Sequence, residues 1–266
     1  MARIRYGARS LDEMRNREVE ATSVKTWATT LVATYETDAA AVAAVLPPPL
    51  TPLDEPLVRL TIATVDVGRG YPVFGAGTVA VMCRHEDTLG DYALVMPMTT
   101  EQSVVGGRET FGEPKKLAAI DLTVDGDRLN AYFERMGTRF VEVDGRITAD
   151  LEPTPDRTRT SFYLKFLPAV AGKGFDGDPQ LVYCRREETT RSLKRVEGEV
   201  ILRESRFDPV ADLPVRTIRE IELAERSSIQ TGEVVATLPA DWITPYVHQR
   251  YDDLSPVGAA GDPAES

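Results

Sequence analysis

The sequence predicts a mainly β protein of α+β class, an antiparallel barrel or sandwich with a few short helices. Short runs rich in Val, Ile, Thr, Tyr and Phe recur along most of the chain, and Gly, Pro and Asp turns separate them. Many short strands with few helical segments are typical of a barrel or a sandwich. The chain has 266 residues, of which 42% are hydrophobic and 27% charged, as expected for one globular domain. We place that domain at residues 1–252.

The first elements follow from local composition. Residues 1–22 are charged and weakly periodic, which favours an N-terminal arm or a short helix. A first strand is predicted at Thr26–Tyr35, because Thr, Val, Trp and Tyr suit a half-buried pleated surface. An alanine-rich helix is predicted at Ala39–Leu46, and Pro47–Pro49 prevents its continuation.

The rest of the chain continues as strands separated by turns. Residues 101–107 are predicted to form a helical or irregular interruption that bounds a cavity. Residues 253–266 combine Asp, Pro, Gly, Ala and Glu without an apolar period, which predicts a disordered tail. The further predicted strands are Leu57–Val67, Thr78–Cys83, Tyr92–Met98, Leu117–Val124, Leu129–Glu134, Phe140–Val143, Phe162–Leu167, Leu181–Cys184, Val196–Glu204, Ile218–Leu223 and Glu233–Thr237.

The charge of the chain limits its partners. The formal net charge is −11, which repels a phosphate backbone, so no nucleic-acid partner is expected. No apolar run approaches the about 20 residues that span a bilayer, and the N-terminal residues lack the apolar core of a signal peptide. We therefore expect no membrane partner and a cytoplasmic location.

Few side chains are available for metal or cofactor chemistry. Cys83 and Cys184 are far apart in the sequence and are predicted to be buried small residues. His85 and His248 are the only histidines, and neither has the spacing of a paired ligand. The glycine-rich segments lack the residues that complete a phosphate-binding or dinucleotide-binding loop. The sequence thus predicts neither a metal nor an organic cofactor.

Two adjacent lysines, Lys115 and Lys116, follow Glu113 and Pro114 and precede an apolar run. A lysine pair after a turn is ordinarily solvated. A lysine acts as a nucleophile at neutral pH if burial lowers its pKa from about 10.4 toward about 7 to 8. These residues alone leave both interpretations open.

The lysine pair belongs to a series of short motifs. They are Y-E-T-D at 35–38, D-E-P-L-V-R at 54–59, G-D-Y at 90–92, G-R-E-T-F-G-E-P-K-K-L at 107–117, L-P-V at 213–215 and L-P at 238–239. In these motifs, and in their order, the chain resembles the acetoacetate decarboxylase superfamily. The resemblance covers roughly Thr26 to Tyr246, and the P-K-K segment is its most specific part.

The resemblance implies that Lys115 is the Schiff-base lysine and that Lys116 assists it. Acetoacetate decarboxylase is itself a known example of a lysine activated by desolvation or by a second cation. If the pair is extended, however, successive side chains point to opposite faces, and Lys116 aims away from the Lys115 pocket. Desolvation of Lys115 would then supply most of the activation.

The chain departs from the decarboxylases at three pocket positions. By the same motifs, the family's substrate-facing arginine falls at or near Ala28, and its pocket glutamates fall near Thr61 and Ala76. None of these residues is charged. The departure puts decarboxylation of acetoacetate itself in question and leaves the imine chemistry intact.

Three further side chains are candidates for the site, each with a structural alternative. Glu113 is a general acid/base, or a turn carboxylate paired with a nearby lysine. Arg108 binds the substrate carboxylate, or forms an ion pair with Glu109 that closes the turn. The hydroxyl of Tyr246, in a region that resembles the family's closing strand, reaches the pocket, or the ring simply packs.

These observations lead to a hypothesis for function. We expect a Schiff-base lyase that acts on a small oxo acid through Lys115, either decarboxylating a 3-oxo acid or condensing and dehydrating a 2-oxo acid such as pyruvate. The alternative is a non-catalytic small-molecule-binding barrel that retains the fold. The resemblance also implies an antiparallel β-barrel or cone of the acetoacetate decarboxylase-like type, and a homo-oligomer.

Overall fold

The computed structural model describes residue 4 and the ranges 6–8, 26–68 and 72–252. Most of the arm predicted at residues 1–22 and all of the tail predicted at 253–266 lie outside the described residues. No helix of the described part is long and apolar enough to cross a membrane.

Twelve strands form one hydrogen-bonded sheet. The strands are β1 (Thr26–Glu36), β2 (Thr51–Pro52), β3 (Leu57–Asp66), β4 (Phe74–His85), β5 (Thr88–Met98), β6 (Lys115–Leu117), β7 (Ala119–Asp125), β8 (Arg128–Arg135), β9 (Thr138–Leu151), β10 (Arg157–Lys165), β11 (Gln180–Leu202) and β12 (Thr217–Thr237). The described helices are short: α1 (Ala39–Val45), α2 (Glu101–Phe111), α3 (Ala240–Ile243) and the 3₁₀ segments η1 (Val210–Asp212) and η2 (Thr244–Arg250).

Seven of the strands close into a barrel. Their order is β10-β5-β4-β3-β1-β12-β11, and pairing between β10 and β11 completes the ring. Most pairings are antiparallel, but β5 runs parallel to both β10 and β6. The predicted mainly β barrel with few helices is therefore confirmed, although the sheet is mixed rather than purely antiparallel.

The long strand β11 carries the sheet beyond the barrel to β9, β8 and β7, which fold back over the outside of the barrel. Strand β8 lies against β4, where Gly77 leaves room for the ring of Phe133: a Cβ at residue 77 would lie 2.1 Å from that ring. The main hydrophobic core occupies this space between barrel and outer strands.

Side chains alternate between this core and the barrel interior, as the period of a strand requires. In β3, Leu60 and Ile62 are buried in the outer core, whereas Arg59, Thr61 and Ala63 face the interior. The interior face is therefore the place where polar and small residues collect.

Two pairs of predicted strands are in fact single long strands. The segments predicted at Leu181–Cys184 and Val196–Glu204 belong to β11, and those predicted at Ile218–Leu223 and Glu233–Thr237 belong to β12. The intervening residues are charged or polar, so they lack the hydrophobic signal of a strand. Ladder hydrogen bonds and an interior that accepts polar side chains nevertheless keep them extended.

Two other local predictions were wrong. The segment predicted as one strand at Leu117–Val124 forms two: β6 begins at Lys115, which pairs with Met96 of β5, and ends at Leu117, and β7 begins at Ala119. The region around Tyr246 resembled a closing strand but forms η2, because Pro245 near its start favours a helical turn.

A left-handed glycine ends α2 just before the lysine pair. Gly112 has φ of 79°, its N–H donates to the carbonyl of Arg108 at 3.2 Å, and the N–H of Glu113 donates to the carbonyl of Gly107 at 3.3 Å. A Cβ at residue 112 would lie 2.6 Å from the backbone of Lys165. Glycine is required here for both conformation and space.

We predict that Gly112→Ala destabilises the fold far more than Gly126→Ala. Both glycines have positive φ, but a Cβ at Gly126 meets nothing within 4 Å. Gly126→Ala should cost only the left-handed penalty of about 1 to 2 kcal/mol. Gly112→Ala should add about 1 to 3 kcal/mol of overpacking against β10. Urea denaturation of the two variants measures both, and equal losses would contradict the close approach at Gly112.

Candidate active site

The barrel interior contains a cavity of about 600 Å³. Residues of all seven barrel strands line it, and α2 borders it through Gln102, Ser103, Gly106 and Gly107. Buried apolar residues, among them Met96 and Met98, form part of the wall. The cavity is large enough for a small organic substrate.

Lys115 lies in the wall of this cavity. Its backbone is held beside Met96 by the parallel pairing of β5 and β6, and its N–H donates to the carbonyl of Glu113. The side chain is 15% exposed, and Nζ lies 2.7 Å from Oε2 of Glu113. The amine is thus enclosed, and its first neighbour is a carboxylate.

Glu113 is almost completely buried, with 1% of its side chain exposed. Its Oε1 accepts hydrogen bonds from Nη2 of Arg186 and Nε2 of Gln230, both at 3.3 Å. Burial alone would raise the pKa of the Glu113 carboxyl, but the charges of Lys115 and Arg186 outweigh it and hold that pKa below its ordinary value. Glu113 is therefore a carboxylate at neutral pH.

Gly107 makes room for the pair. A Cβ at this helical position would lie 2.0 Å from Oε2 of Glu113 and 2.6 Å from Nζ of Lys115. Alanine ordinarily stabilises a helix relative to glycine, so the glycine here is explained by the space that the ion pair occupies. The helix and the lysine strand meet at this contact.

Arg186 and Gln230 complete the network from the far wall. They are register partners in β11 and β12, and Nε of Arg186 donates to Oε1 of Gln230 at 3.1 Å. Nη2 of Arg186 also lies 3.4 Å from the hydroxyl of Tyr163. Burial raises the pKa of the Tyr163 phenol, which therefore keeps its proton at neutral pH.

Sequence reasoning missed Arg186 because it ended the strand at Cys184, and it missed Gln230 because that residue lies between the two predicted segments of β12. The alternation of Cys184, Arg186 and Glu188 on one face was the available signal, since all three side chains lie on the inner face of the barrel. Cys184 and Cys83 are buried free thiols, as predicted.

Lys116 points away from the cavity, as alternation along a strand requires. Its Nζ donates to Oδ1 of Asp208 and to the carbonyl of Phe207, both at 3.0 Å, and lies 3.2 Å from Asp252. Arg135 bridges the same two carboxylates. Lys116 thus belongs to a network on the opposite side of the strand, which borders a second groove of about 980 Å³ whose lining also includes Lys115.

Arg108 is not among the residues that line the barrel cavity; it borders the second groove together with Lys115 and Lys116. Its Nη1 donates to the carbonyls of Lys115 and Arg250, both at 3.0 Å, and its guanidinium packs over the ring of Tyr251. These contacts fix the lysine backbone and the C-terminal segment. The contacts are structural, and Arg108 makes them with backbone carbonyls rather than with the side chain of Glu109, the alternative that the sequence suggested.

Tyr246 is not brought to the lysine. It lies in η2 and borders a separate crevice of about 20 Å³ together with Tyr92 and Tyr163. Its predicted contact with substrate stays a prediction, and its described position is that of a packing residue.

The three positions at which the sequence resemblance predicts a loss of charge do line the cavity. Ala28 of β1, Thr61 of β3 and Ala76 of β4 all face the interior. The charge there comes from other positions: Arg59, Asp91, Arg159, Arg186, Glu188 and Arg226. Within the described residues, no group of three or more His, Cys, Asp or Glu side chains is arranged to hold a metal ion.

The fold and the site together define a class of protein, a closed barrel with a lysine in its cavity wall paired to a buried carboxylate. Comparison with known families shows which family of this class the chain matches. The family model described as acetoacetate decarboxylase matches residues 13–238, which include the entire lysine site. The chain belongs to the acetoacetate decarboxylase family.

Similarity to individual proteins agrees with this assignment. An acetoacetate decarboxylase of Chromobacterium violaceum is 30% identical over 200 residues, covering 70% of this chain and 76% of the relative. A solved acetoacetate decarboxylase structure superposes with a TM-score of 0.71 at 22% identity, covering 84% of this chain and 99% of that one. The enduracididine biosynthesis enzyme MppR, solved with pyruvate, gives a TM-score of 0.67 at 15% identity over 80% of this chain and 90% of its own. The two structural likenesses establish the shared fold.

We predict that Glu113→Gln destabilises the protein in a pH-dependent way. Because the folded-state pKa of Glu113 is depressed, its stabilising contribution is complete above the unfolded value of 4.5 and is lost as pH falls through the folded value. The variant should lose on the order of 3 kcal/mol at pH 7, because Arg186 and Lys115 lose their buried anion. The difference from wild type should shrink below pH 4.5.

Urea denaturation between pH 3 and pH 7 measures this difference, with the free energy of unfolding extrapolated linearly to zero urea at each pH. Glu233→Gln is the matched control, because that exposed carboxylate pairs with Arg185 on the surface, where such a pair contributes under about 1 kcal/mol. A Glu113→Gln deficit that stays constant across the pH range would contradict the depressed pKa.

Proposed function

We propose that this protein is a Schiff-base-forming lyase that acts on an oxo acid through Lys115. The observation that carries the proposal is the 2.7 Å contact between Nζ of Lys115 and the buried carboxylate of Glu113 in the wall of the barrel cavity. An amine in such a place has both a carbonyl-sized space before it and a proton acceptor beside it.

The first step uses the ion pair. Oε2 of Glu113 accepts a proton from the Lys115 ammonium, and the neutral amine attacks the ketone carbon of the substrate. Glu113 then returns the proton to the oxygen of the carbinolamine, which leaves as water and gives the iminium. Arg186 and Gln230 hold Glu113 in place through its other oxygen, so Oε2 stays free for this transfer.

The iminium is an electron sink, and two reactions follow from it. In a 3-oxo acid, the bond to the carboxylate breaks, carbon dioxide leaves and the electron pair forms an enamine, which is protonated and hydrolysed. In a 2-oxo acid, loss of a proton from the adjacent carbon gives the enamine, which attacks an aldehyde. Loss of water from that adduct and hydrolysis of the imine release a conjugated oxo acid and free Lys115.

The composition of the cavity favours the second reaction. Ala28, Thr61 and Ala76 supply no charge at the cavity positions that the sequence resemblance matches to the charged pocket residues of the decarboxylases. The neighbour MppR has also been solved with the condensation product of pyruvate and imidazole 4-carboxaldehyde, which is a product of this second type. Acetoacetate decarboxylation remains the second candidate, supported by the family assignment and by the relative from Chromobacterium violaceum.

We predict that borohydride traps pyruvate or acetoacetate on Lys115, as located by peptide mass mapping. Lys115→Arg should abolish the adduct, because a guanidinium stays charged and forms no imine under these conditions. Lys194→Arg is the matched control, since Lys194 pairs with Asp150 on the surface. No adduct with any of a panel of oxo acids would favour the non-catalytic binding barrel.

Gly107→Ala should slow adduct formation by about tenfold or more, because the added methyl group displaces the pair of Lys115 and Glu113. A tenfold change corresponds to about 1.4 kcal/mol. Gly126→Ala, in an open turn, should trap at the wild-type rate. A wild-type rate for Gly107→Ala would show that the pair is not needed for attack by Lys115.

The two reactions are separated by their products. We expect pyruvate plus an aromatic aldehyde to give the ultraviolet absorbance of a conjugated oxo acid, with slow carbon dioxide release from acetoacetate. Lys115→Arg should remove both signals. Rapid carbon dioxide release without condensation would assign decarboxylation instead, and loss of neither signal in the variant would remove Lys115 from the chemistry.

A further inference from the structure

A set of charged side chains lies in the same cavity, at a distance from Lys115. Arg59, Arg159 and Arg226, called here the arginine cluster, come from β3, β10 and β12 and all line the cavity wall. The chain as a whole carries a net charge of −11, so its composition does not lead one to expect three arginines on one interior surface. The mechanism above uses none of them.

Arg59 and Arg159 share a single carboxylate. Asp91 accepts from Nη1 of Arg59 at 2.5 Å through Oδ1 and from Nη2 of Arg159 at 2.8 Å through Oδ2. Both guanidinium groups are mostly buried, with 19% and 21% of the side chains exposed. Two buried cations therefore face one anion.

Arg226 is the least satisfied member of the cluster. The residue is 6% exposed, and Nη2 lies 3.2 Å from Oε2 of Glu222. Its Nε donates to no acceptor within the described residues. Burial, together with Arg157 and Arg159 nearby, lowers the pKa of the Arg226 guanidinium. A buried arginine with an unused donor beside a cavity is a site for an acceptor that the protein itself does not supply.

The local charges define which acceptor fits. Arg59 and Arg159 face Asp91, Arg226 faces Glu222, and Arg157 pairs with Glu188 at 3.2 Å. Four cations against three anions leave one positive charge. A carboxylate neutralises that charge, whereas a doubly charged phosphate would leave an uncompensated negative charge.

The cluster is displaced from Lys115 along the barrel. Arg226 precedes Gln230 by four positions on the same face of β12, and Gln230 contacts Glu113 at the lysine. Four residues of a strand span about 13 Å. Arg159 precedes Tyr163 by the same interval on β10, and Tyr163 contacts Arg186. The two ends of one cavity therefore carry an amine and a carboxylate-binding surface.

We propose that the arginine cluster binds a second carboxylate of the substrate, so that the natural substrate class is an elongated oxo dicarboxylic acid. The ketone reaches Lys115 while the distal carboxylate binds Arg226, with Arg59 and Arg159 beside it. The assignment of the substrate rests on the proposed function, whereas carboxylate binding at the cluster does not. Arginine suits this task because its planar fork matches a carboxylate.

Matched pairs of oxo acids test the proposal by borohydride trapping on Lys115. 2-Oxoadipate and 2-oxosuberate carry the distal carboxylate, and 2-oxohexanoate and 2-oxooctanoate are their counterparts with a methyl end. We expect at least one dicarboxylate to reach half-maximal adduct at a concentration at least about tenfold lower than its counterpart, equivalent to about 1.4 kcal/mol. Equal concentrations for both pairs in the wild-type protein would overturn the proposal.

Variants of the cluster locate the effect. Arg226→Gln should abolish the preference, so that a dicarboxylate and its methyl-ended counterpart reach half-maximal adduct at about the same concentration. Arg226→Lys retains a cation beside Glu222 and should fold even if the glutamine variant does not, with a reduced preference because lysine lacks the Nε–H and the fork. Arg185→Gln, on the outer face of the same strand pair, is the matched control and should retain the full preference. A full preference in both Arg226 variants would overturn the proposal.

A ketone-free titration separates this inference from the proposed function. Adipate and suberate form no imine, so calorimetry with these acids and with hexanoate and octanoate reports on the cluster alone. At least one diacid should bind at least about tenfold more tightly than its monoacid to wild type and to Lys115→Arg, and Arg226→Lys should weaken that binding. Such selectivity without any trapping on Lys115 would refute the lyase and support the carboxylate subsite. No selectivity, with trapping intact, would refute the subsite and leave the lyase standing.

Discussion

The buried pair of Lys115 and Glu113 is the interaction on which the site depends. A charge removed from water is costly unless it is paired and hydrogen-bonded. Glu113 meets both conditions, because Lys115 neutralises it while Arg186 and Gln230 bind its other oxygen. The same contact explains why residue 107 is glycine, since any Cβ there would occupy the position of the pair. Helix, strand and barrel wall are thus fitted to one ion pair.

The closed barrel lets such a pair exist in a chain of ordinary composition. Closure gives every strand an inner and an outer face, and the outer strands β7–β9 cover the outer face with a large apolar core. Stability comes mainly from that outer core, so the inner face is free to carry arginines, carboxylates and small residues around a cavity. The carboxylate of Asp91 and the cluster around it are tolerated for the same reason.

The two adjacent lysines show that neighbouring side chains of one strand face different environments, the cavity on one side and the outer surface of the barrel on the other. Lys115 faces the cavity, whereas Lys116 faces the outer network of Asp208, Asp252 and Arg135. This network ties the strand that carries Lys115 to the C-terminal segment, and Arg108 adds hydrogen bonds to the carbonyls of the same two parts of the chain. Lys116 therefore contributes to the position of the strand through contacts on its far side.

The sequence by itself determined the mainly β barrel and the motif that contains Lys115, because local composition and motif spacing are encoded in neighbouring residues. Only the tertiary structure decided that Glu113 pairs with Lys115 and that Arg186, Gln230 and the arginine cluster share their cavity. Arg186, Gln230 and the arginine cluster are distant from Lys115 in sequence, and Arg186, Arg226 and Gln230 sit in polar stretches without a strand signal. Ring closure between β10 and β11 brings them onto one surface, and local propensity carries no information about that long-range pairing.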